Sequence, residues 1–394
     1  MKFSDRLLRM KPSATRAMAD KAAQLESEGK RIISFTVGEP DFPSPKAAND
    51  AAIEAILRGE SHYTATGGSK ELKQAVIAYY RERHGVTFSP KEILAGAGAK
   101  PLIYEAFGTL VNPGDEVIVP TPAWVSYVEQ VDVFDGKSVL VDTTDAQFRL
   151  SLEAVERAVT PKTVAIIVNS PQNPSGVMYS REFMAGLCRL AMQRDFMVIN
   201  DEIYERLTYG TRYVNPLADA PETRDHVLTI NGASKAFAMT GWRLGYAMGP
   251  AALIGKMATL QGHITSCPSS ISQWAVVGGL QNAEADVEAM REEYEKRMEF
   301  VYGELSTMPH LSVTKPEGAF YFFIDVRPSY GKKSGGTAII DDQSFCAALL
   351  DHGVALVPGV AFLAPGFARL SYACSMDNLR EGLGLMRSFL KSLT

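Results

Sequence analysis

The chain has 394 residues, of which 46% are hydrophobic and 22% charged, with a formal net charge of −5 at pH 7. That length exceeds what one hydrophobic core usually supports, so two domains are expected, and the acidic balance argues against general nucleic-acid binding. No run of 18 apolar residues occurs, so no segment should span a membrane, and the opening Met1-Lys2-Phe3-Ser4-Asp5-Arg6 lacks the apolar core of a secretory signal.

Helical and strand signals alternate through the middle of the chain, which predicts an α/β domain with a largely parallel sheet. Ile93-Leu94-Ala95 predicts a strand, followed by Gly96-Ala97-Gly98 and a helix over about 101–110. Asn112-Pro113-Gly114-Asp115 is a turn signal ahead of the strand Glu116-Val117-Ile118-Val119. Residues 164–168, 196–199 and 227–230 are continuous apolar runs, as strands buried on both faces require. Residues 283–305 carry a long charged amphipathic pattern, read as a solvated helix that connects two domains. Beyond it, 318–324 and 354–357 predict strands of a smaller α+β domain, and 331–336 a mobile surface loop. The four cysteines form no Cys-x-x-Cys pair and the six histidines no ligand spacing. Reduced thiols, a cytoplasmic setting and no metal are therefore expected.

Several strand ends carry chemistry-bearing residues, where ligand groups gather in open parallel sheets. The run Ser234-Lys235-Ala236-Phe237-Ala238-Met239-Thr240-Gly241-Trp242-Arg243 is the most telling. Its lysine suits a Schiff base with the aldehyde of pyridoxal phosphate, and Ser234 and Arg243 suit the phosphate. Asp201, 34 residues upstream, follows an apolar strand and suits a protonated pyridine nitrogen. By itself an aspartate there reads as a helix N-cap. Tyr204, three residues on, falls on the same face of a helix starting at Asp201 and suits the cofactor's phenolic oxygen. Asn173, in Asn173-Pro174-Ser175-Gly176, offers an amide donor to the same oxygen, and a cis Asn173-Pro174 bond would aim it. Trp124 suits stacking on the ring. Gly98-Ala99-Lys100 opens a helix whose unpaired amides suit a phosphate. Arg369 stands in an otherwise apolar strand and needs an anion, either a structural carboxylate or a bound one.

Taken together, these residues resemble the class I aminotransferases of pyridoxal phosphate fold type I, and within them the bacterial aspartate aminotransferases. The resemblance is collinear over nearly the whole chain. It runs through Lys11-Pro12-Ser13-Ala14-Thr15, Val37-Gly38-Glu39-Pro40-Asp41-Phe42, Tyr63 ahead of Gly67-Gly68, and Pro122-Ala123-Trp124-Val125-Ser126-Tyr127. It continues through the asparagine motif, Asp201-Glu202-Ile203-Tyr204, the lysine run and Arg369-Leu370-Ser371-Tyr372. It implies a large domain over 45–285 with a mostly parallel central sheet, and a smaller α+β domain from 1–44 and 286–394. It further implies that Lys235 is the Schiff-base lysine and proton shuttle, with Asp201, Tyr204 and Asn173 on the ring and Trp124 stacked against it. Gly98, Ala99, Lys100, Ser234 and Arg243 would surround the phosphate, and Arg369 would clamp the substrate α-carboxylate with Asn173, Trp124 and the Gly38 backbone. Tyr63 in such enzymes comes from the neighbouring subunit, which implies a homodimer with shared active sites. Two departures stand out. Ala99 occupies a position that is often glycine, and no second arginine is evident for a distal carboxylate. Lys100, with Thr15, resembles the substitute some bacterial aspartate aminotransferases use.

The expected reaction is a reversible ping-pong transamination between an amino acid, aspartate first, and a 2-oxo acid, 2-oxoglutarate first. It needs a Lys235 pKa lowered to about 7–8. The alternatives are an aromatic or prephenate aminotransferase of the same fold, a carbon–sulfur lyase, or a non-catalytic relative that only binds. A nicotinamide-dependent dehydrogenase is excluded, because no Gly-x-Gly-x-x-Gly follows the first strand.

Overall fold

Seven strands build the larger sheet: β1 (Ile93–Gly96), β2 (Glu116–Thr121), β3 (Lys137–Asp142), β4 (Thr163–Asn169), β5 (Met197–Asp201), β6 (Val227–Gly232) and β7 (Gly245–Met248). Their spatial order is β1-β7-β6-β5-β4-β2-β3. Strand β7 runs antiparallel to both of its neighbours, and the other pairings are parallel. The computed structural model describes the backbone of residues 1–10 and 14–394, with all of their side chains except 14–17 and 19. Lys11, Pro12, Ser13 and the side chain of Thr15 therefore lie outside the described residues.

The apolar runs are continuous because the sheet is covered on both faces. Along β4, Ile166 and Val168 join one apolar cluster with Val198 and Val227. Ala165 and Ile167 join another with Val117, Val119 and Ile199, as the two-residue period of a strand demands. Because the central strands are parallel, their carboxyl ends meet along one edge. Asn169 and Asp201 are paired across that edge, and Asp201 is in turn paired with Ile230.

A smaller antiparallel sheet follows, with β8 (Ser312–Val313), β9 (Tyr321–Asp325), β10 (Val357–Pro358) and β11 (Phe367–Ser371) in the order β10-β11-β9-β8. The 22-residue helix Glu284–Leu305 leads into it. Its buried apolar positions Val287, Met290, Tyr294, Met298, Val301 and Leu305 recur every three or four residues, so one stripe packs. Arg297 is buried beside it, paired with Asp41 and Glu293, while the helix's other charged residues stay exposed or half-buried. The architecture is the expected α/β fold: a large unit on a mostly parallel sheet and a smaller α+β unit. Among the described residues no helix is long and apolar enough to cross a membrane.

Three local expectations are corrected. Residues 331–336 are not a plain loop. Lys333–Ser334 and Thr337–Ala338 pair as a hairpin across Gly335 and Gly336, whose φ values of +54° and +89° suit a tight two-residue turn. Residues 354–357 are not one strand. Val354–Ala355 pairs with Ile33–Ser34, and Val357–Pro358 then joins β11, so the chain changes sheets at Leu356. Asp201 does not open a helix either; it ends β5, and 203–206 form a turn with Glu205 N–H donating to the Glu202 carbonyl at 2.9 Å.

Candidate active site

The carboxyl edge of the sheet opens into a cavity of about 560 Å³, a volume typical of small-molecule sites. Lys235 Nζ lies at its wall and donates to the Gly38 carbonyl at 2.5 Å. Burial pulls the amine down to about 8; Glu39 and Asp201 oppose that, while Arg369 and Arg243 add to it. The residue sits in the four-residue helix Ala233–Ala236 that immediately follows β6, so strand and turn together fix it.

Asp201 faces the same cavity from the end of β5. Burial pushes its carboxyl up to about 6, against a hydrogen bond donated by the Tyr127 hydroxyl at 2.6 Å and one from the Ile203 N–H at 3.2 Å. The Asp201 carbonyl accepts from Asn169 Nδ2 at 2.9 Å, and Asn169 Oδ1 accepts from the Asn173 N–H at 2.8 Å. One asparagine thereby ties the asparagine motif to the aspartate strand. The Asn173-Pro174 bond is cis, as expected.

Tyr204 is buried and lines the cavity from the turn after β5, so it joins Asp201 without the helix expected of it. Trp124 also lines the cavity, edge-on to Tyr127 with ring centroids 5.3 Å apart. Lys100 Nζ lies 4.5 Å from the Trp124 ring centroid, a cation–π distance. The helix Ala99–Leu110 starts at Gly98, whose φ of +104° disfavours any other residue. A Cβ at Gly98 would lie 2.6 Å from an Arg243 nitrogen, so the glycine leaves room for that guanidinium. Gly245 does the same for the helix start, where a Cβ would come within 2.5 Å of the Ala99 nitrogen. Ser234, Ala99 and Lys100 line the cavity beside Arg243. These groups fit a phosphate: an open helix N-terminus, a hydroxyl and a guanidinium converge there.

Arg369 rises from β11 and is buried. Its guanidinium donates to Asn173 Oδ1 at 3.0 Å and to the Thr36 carbonyl at 2.7 Å, both neutral, and among the described residues its Nε has no partner. Its central carbon lies 4.5 Å from the Tyr321 ring centroid and 4.9 Å from that of Phe362, both cation–π distances. A buried cation held by neutral oxygens is completed by an anion, and the fork suits a carboxylate.

Of the residues singled out in the sequence, Gly38, Ala99, Lys100, Trp124, Asn173, Asp201, Tyr204, Ser234, Lys235, Arg243 and Arg369 line this one cavity, with Gly98 directly behind it. Tyr63 stands apart, 91% exposed, in a separate pocket with Trp274. Sequence reasoning missed Tyr127, Tyr321, Thr36 and Glu39, which also line the cavity. Tyr127 lay within a quoted motif, whereas Tyr321 is hidden in the apolar run Phe320-Tyr321-Phe322-Phe323 and reads as core.

The comparisons with known proteins agree with this geometry. The family model described as aminotransferase class I and II matches residues 30–384. The chain belongs to that family. Among curated aminotransferases, it is 40% identical to the aspartate aminotransferase of Geobacillus stearothermophilus, with 100% of each chain covered. It is 41% identical to the aspartate/prephenate aminotransferase of Thermus thermophilus over 97% of each. Among solved structures, the aspartate aminotransferase of Rhizobium meliloti superposes with a TM-score of 0.97 at 39% identity, covering 100% of both chains. The Thermus thermophilus aspartate aminotransferase with maleate gives 0.93 at 40% identity, covering 99% of this chain and 100% of the other. Class I aminotransferases are transaminases that use pyridoxal phosphate, so the chain is an aminotransferase.

Proposed function

We propose that this protein carries out reversible transamination between aspartate and a 2-oxo acid such as 2-oxoglutarate, with pyridoxal phosphate seated in the cavity described above. One observation carries the reading: Lys235 Nζ, the Asp201 carboxylate and an Arg369 with no anionic partner among the described residues all face a single cavity. When bound, the cofactor supplies an electron sink that stabilises negative charge at the substrate α-carbon.

The chain's own residues do the rest. The neutral fraction of Lys235, raised by burial, would take the proton from the substrate α-carbon onto Nζ and deliver it to the cofactor carbon that receives the amino group. Asp201 is largely ionised above its value of about 6 and would hold a proton on the ring nitrogen. Tyr204 and Asn173 would donate to the phenolic oxygen, and Trp124 would cover one ring face. The helix start at Gly98-Ala99-Lys100, with Ser234 and Arg243, would hold the phosphate. Arg369 would clamp the α-carboxylate beside Asn173, Trp124 and the Gly38 backbone. Lys100, placed over Trp124, is the candidate for the distal carboxylate, with Thr15 as its helper.

We further infer that the working form is a homodimer in which Tyr63 of one protomer enters the cavity of its partner. Its near-complete exposure, with exposed Leu57, Ile56 and Ile53 on a nearby helix, supports this. The domain division at 45–285 against 1–44 and 286–394 is proposed likewise. The apolar clusters against the larger sheet run from Ala48 to Val287, which supports it. The four free cysteines support a reducing, cytoplasmic setting.

Relatives named for both aspartate and prephenate keep a second acceptor reading open for this site. A donor and acceptor panel with aspartate, glutamate, tyrosine, phenylalanine and prephenate tests both, in the wild type and in Lys100→Ala. The aspartate reading expects aspartate with 2-oxoglutarate to be fastest, and Lys100→Ala to lose dicarboxylates selectively. An unchanged substrate ratio in that variant removes it.

A further inference from the structure

Tyr204 has one hydroxyl proton, and the proposed function asks it to point at the cofactor's phenolic oxygen. Its hydroxyl lies 2.9 Å from that of Tyr321, and geometry allows either to donate. Two buried phenols in contact share two protons, so the direction of one decides the direction of the other. If Tyr204 donates to Tyr321, its proton is spent inside the wall. If Tyr321 donates to Tyr204, the Tyr204 proton is free to enter the cavity.

The surroundings of Tyr321 favour the second arrangement. Among the described residues, Tyr204 is the one hydrogen-bond partner of its hydroxyl. The Arg369 guanidinium over its ring only donates, and at Gly38 a Cβ would come within 2.9 Å of the Tyr321 oxygen. Burial raises the pKa of both phenols, and the Arg369 charge opposes the rise at each, so both stay protonated and one must donate to the other. The ring of Tyr321 meanwhile lies 4.5 Å from the Arg369 guanidinium carbon, and that of Phe362 4.9 Å from it.

We propose that Tyr321 is a positioning residue with two functions: its hydroxyl donates to Tyr204 and directs the Tyr204 proton into the cavity, and its ring holds the Arg369 guanidinium in plane. One side chain thereby aligns the group that meets the cofactor with the group that meets the substrate carboxylate. This inference rests on the pyridoxal phosphate reading above.

The two functions separate in variants. Tyr321→Phe removes the hydroxyl and keeps the ring, and Tyr321→Leu removes both. The first readout is the midpoint of the holoenzyme's visible absorbance titrated against pH, which a merely structural role would leave in place. Losing a donor to the phenolic oxygen makes that oxygen more basic, so Tyr204→Phe moves the midpoint upward. Tyr321→Phe should move it the same way by about a tenth to a third of that shift, the share expected of one polarising bond in a chain. The double variant Tyr204→Phe/Tyr321→Phe should move no further than Tyr204→Phe.

The second readout is the dissociation constant of maleate, a dicarboxylate without an amino group. Tyr321→Phe should keep it, and Tyr321→Leu should weaken it about 2- to 30-fold, the range of a cation–π contact. A wild-type midpoint in Tyr321→Phe, or a double variant whose shift is the sum of the two, overturns the hydroxyl role. Unchanged maleate affinity in Tyr321→Leu overturns the ring role. If wild-type protein given pyridoxal phosphate develops no visible band, the cofactor reading falls first and takes this inference with it.

Discussion

Replacing Arg369 by lysine keeps one positive charge and discards what the structure builds around it. The guanidinium lies within cation–π distance of the Tyr321 and Phe362 rings, and one donor on each terminal nitrogen goes to Asn173 Oδ1 or the Thr36 carbonyl. A lysine offers a point charge that neither ring can orient, so a bidentate carboxylate grip becomes a single bond. Losing one charge-assisted hydrogen bond costs about 1.5–3 kcal/mol, or about 10- to 150-fold in kcat/KM for an α-amino acid. The control is the corresponding amine without its α-carboxylate, measured in single turnover. Such a substrate never meets Arg369, so Arg369→Lys should leave its rate within about twofold. The assay is the ratio of the two substrates in both proteins. If amino acid and amine fall by the same factor, Arg369 supports the fold rather than the carboxylate, and the clamp reasoning fails.

Before cofactor is loaded, Lys235 should react with an amine-directed reagent with a midpoint near 8. Its charged form is the one burial disfavours, so reactivity is gained as pH rises through that value, and peptide mass spectrometry across a pH series reads it; a midpoint near that of a free lysine sinks the burial argument. In Tyr127→Phe, Asp201 loses the donor that opposes burial, so its pKa should climb by about one to two units. Less of it is then ionised at pH 7, and cofactor affinity should fall there while recovering toward pH 9, as a binding titration at both values would reveal. Gly98→Ala meets both a positive φ and the Arg243 guanidinium, and should weaken cofactor binding by at least about tenfold with little change in melting temperature.

What the sequence revealed depended on the range of each signal. The parallel sheet was legible because strands covered on both faces leave continuous apolar runs, and β4 to β6 lie close to where those runs stand. The site was legible because its residues sit at strand ends, where a polar residue after an apolar run is conspicuous. Tyr321 was not, since a phenol among phenylalanines in β9 carries no mark of which neighbour its hydroxyl meets. The turn after Asp201 was misread as a helix because three-residue spacing is shared by both, and the i to i+3 bonds there stop after one turn. The break at Leu356 depends on two different sheets competing for one segment, which no local pattern encodes.

Behind the cavity, one buried carboxylate explains how the two strand ends keep their spacing. Glu202 Oε2 accepts from Asn200 Nδ2 at 2.9 Å, the Tyr213 hydroxyl at 2.8 Å and Asn215 Nδ2 at 3.0 Å, and Oε1 accepts from Tyr80. Tyr80 in turn accepts from Asn231 Nδ2 at 2.8 Å, and the Asn231 amide is oriented by its own Oδ1 accepting from the Gly232 N–H. That orientation leaves the Tyr80 proton one destination, Glu202, so the carboxyl has no proton of its own to place. Burial pushes Glu202 up to about 8, but four donors and, among the described residues, no acceptor argue for the ionised form. The network runs from β5, which ends in Asp201, to β6, which leads to Lys235. The acid and the amine are thus held by one hydrogen-bonded wall, and their opposed shifts, Asp201 upward and Lys235 downward, follow from the burial of both beside the same cavity.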